Sequence, residues 1–382
     1  LQLNYAPFSL PTFVIGKQNT TIVHGSCRRP GASGEDAFRI FDAWMSKTAN
    51  DAIKRPASLF LTGDQIYADD VAIPLFEAVH KIASDIFGYV ERIPSYFLAS
   101  FSVDDFSWHT NEQVSFPGFS EGKGYSPLDK IIQEKNWSGR KKLTNLFTSN
   151  IGFTTDDGDA HLLSFPEYAS MYLAVWNPVL CKAYGVDNGL VKELKDYHLS
   201  VQACQRVLAN CATYMLCDDH DVTDDWNLDK AWEEKTKSHK MARRIISNAL
   251  AAYWCFQAWG NDPYAFGESF KKAISEHLDS MWKNNGVPTT AIADNFENTL
   301  LGMHWSFMAQ SNPKALCVDT RTRRTFPPGK TAVLSGPEVW PYLDSLRERY
   351  GFHKDDVLLL VLPTPFLPHR SMMYGQNKSY DY

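Results

Sequence analysis

Five short apolar runs, each of strand length and each closed by polar residues or glycine, constrain this chain more than any other feature. They are Thr21-Ile22-Val23-His24, Ser58-Leu59-Phe60-Leu61-Thr62, Thr213-Tyr214-Met215-Leu216, Ala315-Leu316-Cys317-Val318 and Val357 to Leu362. Their continuous hydrophobicity predicts strands buried on both faces. Helical patterns lie between them. Ser164 with Glu167 forms a capping box that opens a helix running toward Cys181, and Val201, Cys204, Val207, Leu208 and Cys211 fall at helical spacing. From Met241 to Trp259 the positions Ile245, Ala249, Ala252, Phe256 and Trp259 make an amphipathic face, with Gly260 as its expected C-cap. Strands alternating with helices specify an α/β layered architecture.

The stretch from residue 101 to 160 breaks this rhythm, being polar, glycine-bearing and weakly periodic. It reads as an insertion or cap anchored by Trp108, Phe116, Phe119, Trp137 and Phe147. Residues 1–16 read as the tail of a preceding segment, and 17–382 as one domain. A chain of 382 residues can bury a sizeable core. Its net charge of -6 gives no electrostatic reason to bind nucleic acid, and no run approaches the ~18 apolar residues that span a bilayer. The seven cysteines include no C-x-x-C pair, and Cys181, Cys204, Cys211, Cys255 and Cys317 read as buried free thiols. That favours a reducing, cytoplasmic compartment.

The chemistry gathers immediately after the first three runs. The first leads into Gly25-Ser26-Cys27-Arg28-Arg29, the second into Gly63-Asp64-Gln65-Ile66-Tyr67-Ala68-Asp69-Asp70, and the third into Cys217-Asp218-Asp219-His220-Asp221. Ligands of open α/β sheets bind beyond the carboxyl ends of strands, where such loops converge. A thiol, several carboxylates, a phenol and an imidazole on one rim would repel each other unless cations neutralise them. Phenolate and thiolate donors suit ferric iron, and carboxylates suit a second, divalent ion such as Ca, Mn, Mg or Zn. Two metals about 3.5–4 Å apart would need a bridging carboxylate and would clamp a phosphate for in-line attack by a metal-bound hydroxide.

The motifs Gly25-Ser26-Cys27, Gly63-Asp64-Gln65-Ile66-Tyr67-Ala68-Asp69 and Asp218-Asp219-His220-Asp221, with Val318-Asp319-Thr320-Arg321, resemble those of the PhoD-like alkaline phosphatases. These are calcineurin-like metallophosphoesterases related to purple acid phosphatases. The resemblance runs from Thr21 to the C-terminus. It implies a two-sheet α/β sandwich and hydrolysis of small phosphate mono- or diesters. It also implies that Asp64 bridges two metals and Tyr67 gives a phenolate to Fe(III). Cys27 would replace the usual first aspartate, Asp219 would bind the second metal, and His220 would serve the transition state or leaving oxygen.

One expected feature is missing. The family closes its site with a later histidine motif of the form S-G-D-V-H, which does not occur here; His369 has the wrong neighbours. The expectation is that those ligands fall beyond Tyr382. A catalytically incomplete scaffold that binds a phosphorylated ligand or a protein is the rival reading.

Each residue also has a plainer explanation. Cys27 could be a buried thiol, Tyr67 a packing residue, and the cluster around His220 a solvated helix N-cap. Arg28 could meet the phosphate or form a surface ion pair. Asp224 and Asp225 read as capping or supporting residues, and Arg321 and Arg324 as partners of Asp319 and its neighbours.

Overall fold

A computed structural model of the chain describes residues 2–15, 21–89, 91–94, 125–127, 153–155, 160–186, 192–284, 286, 288–328 and 332–364. Strands β1 (Ile22–Gly25), β2 (Ser58–Leu61) and β5 (Ala212–Met215) form a parallel sheet in the order β1-β2-β5. Gly25 pairs with Leu61, and Leu61 with Met215, so the three carboxyl ends are level. That register sets the three polar loops side by side on one rim.

Side chains alternate across a strand, so the two faces of β2 serve different neighbours. Leu59 and Leu61 join Phe38, Phe41 and Met45 of α1 (Ala37–Thr48) and Cys204 and Val207 of α5 (Tyr197–Leu208). Phe60 faces the other way. It packs with Phe307, Ala309, Ala315 and Cys317 of a second sheet, formed by β6 (Phe307–Ala309), β7 (Lys314–Cys317) and β8 (Leu358–Val361). In that sheet β6 lies antiparallel and β8 parallel to β7. The result is mixed α/β: helices on a first sheet, whose far face meets a second.

All five expected strands are present within a residue of their runs, but burial on both faces holds only for β2. The others are partly exposed, β1 and β5 because they are the outer strands of their sheet. A two-stranded ribbon, β3 (Arg92–Pro94) with β4 (Tyr125–Pro127), reaches into the predicted insertion. Its five expected aromatic anchors lie outside the described residues, as does His369.

The helix that begins at the Ser164–Glu167 capping box, α3 (Phe165–Trp176), stops short of Cys181. Asn177 adopts an extended conformation before Pro178 and caps α4 (Pro178–Ala183), accepting the N–H groups of Val179 and Leu180. Helix α6 (Lys230–Ser238) leads to α7 (Lys240–Tyr253), which continues through a π-helical turn at Trp254–Ala258 to Asn261. Gly260 therefore sits inside the last turn rather than capping it, and Cys255, on the π turn, is exposed rather than buried.

A large helical core joins α2 (Ile73–Phe87), α3 and α7 with α8 (Glu268–Lys283) and α9 (Thr290–Gly302). Helix α10 (Trp340–Arg349) lies against β6. Among the described residues no helix is long and apolar enough to cross a membrane.

Candidate metal centre

The three loops are fastened to one another through their backbones. The N–H groups of Cys27 and Arg28 donate to the carbonyls of Gly63 (3.1 Å) and Asp64 (3.0 Å). Asp221 accepts Asp64 N and Asp218 N on Oδ2, at 2.9 and 3.0 Å, and Gln65 N and Ile66 N on Oδ1, at 3.1 and 3.3 Å. A buried carboxylate thus binds two loops whose residues are over 150 positions apart in sequence. Gly63 has φ of +129°, and a Cβ there would lie 2.4 Å from Asp218 Cβ, so the β2 and β5 loops approach only because glycine stands at 63. Two side-chain-bearing residues, Cys27 (φ +59°) and Asp64 (φ +53°), are held in the left-handed region. Strain of this kind persists only where the surroundings enforce it, and the flanking hydrogen bonds do so here.

These backbones bring the expected side chains together. Cys27 Sγ donates to Asp64 Oδ2 at 3.2 Å, and the Cys27 thiol and Tyr67 phenol act on each other electrostatically. The Tyr67 ring stacks on His220. Ligand atoms of Asp64, Asp219 and His220 lie within 4.8 Å of one another, as do those of Asp69, His220 and Asp224, and of Asp219, Asp224 and Asp225. Asp64 is buried, and its Oδ1 has no hydrogen-bond partner among the described residues.

The electrostatics follow from crowding in a dry place. Burial, then the charges of Asp221, Asp218 and Asp219, push Asp64 up to about 8. Burial pushes Asp221 up to about 7, against the backbone donors that favour its charged form. The Tyr67 phenol is raised by burial and by Asp64 and Cys27, and the Cys27 thiol is raised chiefly by burial. Burial opposes a charged His220, but the Asp69 carboxylate, 3.0 Å from Nδ1, outweighs it and carries the imidazole up to about 9. The same contact holds Asp69 below its ordinary range despite burial. Without cations, then, the cluster retains protons at neutral pH. Metal binding exchanges such protons for ions.

Three members of the site were not visible as such in the sequence. Asp69 orients His220, Asp221 shapes the loops, and Arg321 comes from the other sheet. Expected beside Asp319, Arg321 does take Asp319 Oδ1 with its backbone N–H at 2.9 Å, but its buried guanidinium pairs with Asp218 and, at 2.9 Å, with Asp219 Oδ2. Arg324 bonds the carbonyls of Thr320, the neighbour of Asp319, and of Asn227.

Arg28 behaves differently from the phosphate contact considered for it. Its guanidinium pairs with Asp36 at 2.9 Å, donates to Val175 O at 2.9 Å and lies over the rings of Phe38 and Tyr197. Arg29 is the exposed cation of that loop, paired with Asp70 and acting electrostatically on Tyr67.

Thiol, phenol, carboxylates and imidazole around an unsatisfied carboxylate oxygen form a donor set that suits metal. Against known proteins, no family model, characterised protein or solved structure matches this chain.

Proposed function

We propose that this chain is a metal-dependent phosphoesterase, hydrolysing phosphate mono- or diesters at Cys27, Asp64, Tyr67, Asp219 and His220. One observation carries the reading: the buried Asp64 carboxylate stands among further acids with its Oδ1 unpartnered among the described residues. Buried polar atoms are rarely left so, and anionic crowding of this kind calls for cations. Asp64 would serve both metals, Cys27 and Tyr67 would hold Fe(III), and Asp219 would hold a divalent ion (Ca, Mn, Mg or Zn). Two small sheets sharing a core are consistent with a two-sheet sandwich of the metallophosphoesterase type, and the PhoD-like family is our proposed kinship.

When bound, the metals supply Lewis acidity and an activated water. The protein's own residues do the rest. Asp69 accepts a hydrogen bond from Nδ1–H of His220 and fixes the ring, leaving Nε2 to hold a proton for the departing oxygen. We give the phosphate contact to the exposed Arg29 rather than Arg28, since a guanidinium forks onto phosphate oxygens.

The rival, a phospholigand- or protein-binding scaffold without turnover, has its own support. His220 is the one histidine in the candidate metal groups among the described residues. Metal analysis and p-nitrophenyl phosphate hydrolysis by the wild type and Asp64→Ala decide between them. Bound metals with turnover lost in the variant support the enzyme. Bound metals without turnover support the scaffold, and a protein that takes up no metal sinks both assignments of the ligands.

A further inference from the structure

Beside the metal cluster lies a second feature, of which the proposed chemistry uses only Cys27 and Arg29. A cavity of about 370 Å³ opens between the loop after β1, the start of α1 and the start of α5. Cys27 and Gln65 are in its wall; Tyr67, Asp219 and His220 are not. The cavity therefore meets the cluster on the Cys27 side, away from the imidazole.

Its lining is polar and of mixed charge. Arg39 and Lys195, both exposed, have no ion-pair partner among the described residues, while Glu35 and Asp196 bring negative charge. Phe38 and Tyr197 border it, both buried with the Arg28 guanidinium over their rings, and the buried Tyr197 hydroxyl has no hydrogen-bond partner among the described residues. Such a wall offers hydrogen bonds and charge rather than an apolar slot for an acyl chain. Its volume is at the lower end of ligand pockets, the range of one sugar or nucleoside.

We propose that this cavity holds the retained substituent of a phosphodiester, a polar alcohol about the size of a sugar or nucleoside. The inference rests on the phosphoesterase reading. A group delivered its proton by His220 must leave on the His220 side, so whatever occupies the Cys27 side stays on the phosphorus. A monoester leaves the cavity empty and forgoes its contacts. In the balanced reaction, water adds to phosphorus, the bond to the departing oxygen breaks with that oxygen protonated, and the product is the monoester of the retained alcohol.

The test compares two substrates that release the same p-nitrophenol: p-nitrophenyl phosphate and the p-nitrophenyl ester of thymidine 5′-phosphate. The metal-loaded full chain is assayed with Arg39→Ala/Lys195→Ala and with Ala32→Trp, which fills the cavity from an exposed position. The proposal expects wild-type kcat/KM to favour the diester. It expects the diester-to-monoester ratio to fall about tenfold in both variants, chiefly through KM for the diester. A ratio that both variants leave unchanged overturns the cavity assignment while the phosphoesterase stands. Turnover of neither substrate by the metal-loaded wild type overturns the phosphoesterase reading, and this inference with it.

Discussion

The imidazole of His220 lies against the phenol of Tyr67, with ring centroids 4.4 Å apart and 25° between the planes. The proposed proton donor and the proposed iron ligand thus share one aromatic contact, and the oxygen donor can be removed without removing the stack. Tyr67→Phe is expected to keep the fold, with stability changed by no more than about 1 kcal/mol. It is also expected to abolish the tyrosinate-to-iron absorption band of the loaded protein. Visible spectra and urea unfolding check the two halves; an undiminished band would remove Tyr67 from the metal.

Asp221 gathers four backbone donors, those of Asp64, Gln65, Ile66 and Asp218, in a buried place. Asn in its stead would turn an NH2 group toward some of those donors. Asp221→Asn is expected to cost about 2–4 kcal/mol, since unsatisfied buried groups carry their whole desolvation penalty. Metal content is expected to fall with it, because the Asp64 loop loses its mould. Urea midpoints and metal stoichiometry at saturating metal test this, and a neutral substitution would show that the loop holds itself.

Gly63→Ala meets two obstacles at once, a φ of +129° and a Cβ 2.4 Å from that of Asp218. The Asp218 Cβ is not a flexible side-chain tip, so the loops must separate. A loss of at least about 2 kcal/mol is expected from strain and backbone displacement together. Thermal unfolding of the metal-free protein provides the number free of ligand linkage.

Far from the rim, the ring of His277 lies 3.8 Å from that of Phe296, and neither of its nitrogens has a hydrogen-bond partner among the described residues. Burial, with the charge of Arg244 nearby, holds it well below its ordinary value of 6.5. The folded protein keeps this ring neutral while the unfolded chain protonates it. Its contribution to stability is therefore full above pH 6.5 and is lost as pH falls toward the depressed value. By pH 5 the loss amounts to about 2 kcal/mol. His277→Phe keeps a ring in the stack and is expected to shrink the difference between urea midpoints at pH 7 and pH 5. An unchanged difference would assign the acid sensitivity elsewhere.

Much of this organisation was legible because parallel strands obey a strong rule. Once Ile22–Gly25, Ser58–Leu61 and Ala212–Met215 are read as strands of one parallel sheet, their trailing loops must share a rim. What escaped was set by partners distant in sequence or by elements too short to show a period. Asp69 meets His220 across 151 positions, and Arg321 reaches Asp218 across 103 from another sheet. Phe307–Ala309 has three residues, too few to display alternation. The shortened helix at Asn177 was within reach, because proline at 178 disfavours a helical conformation in the residue before it.

The positive φ at Cys27 has a bearing on the history open to this site. A left-handed backbone admits Gly, Asn and Asp at little cost and resists β-branched side chains. Sulfur and carboxylate ligands are therefore interchangeable at position 27 by substitution alone, with the main chain unmoved, whereas Thr and Val are obstructed whatever their chemistry. At the proposed centre, the loop's shape thus confines metal preference to a narrow set of permitted residues.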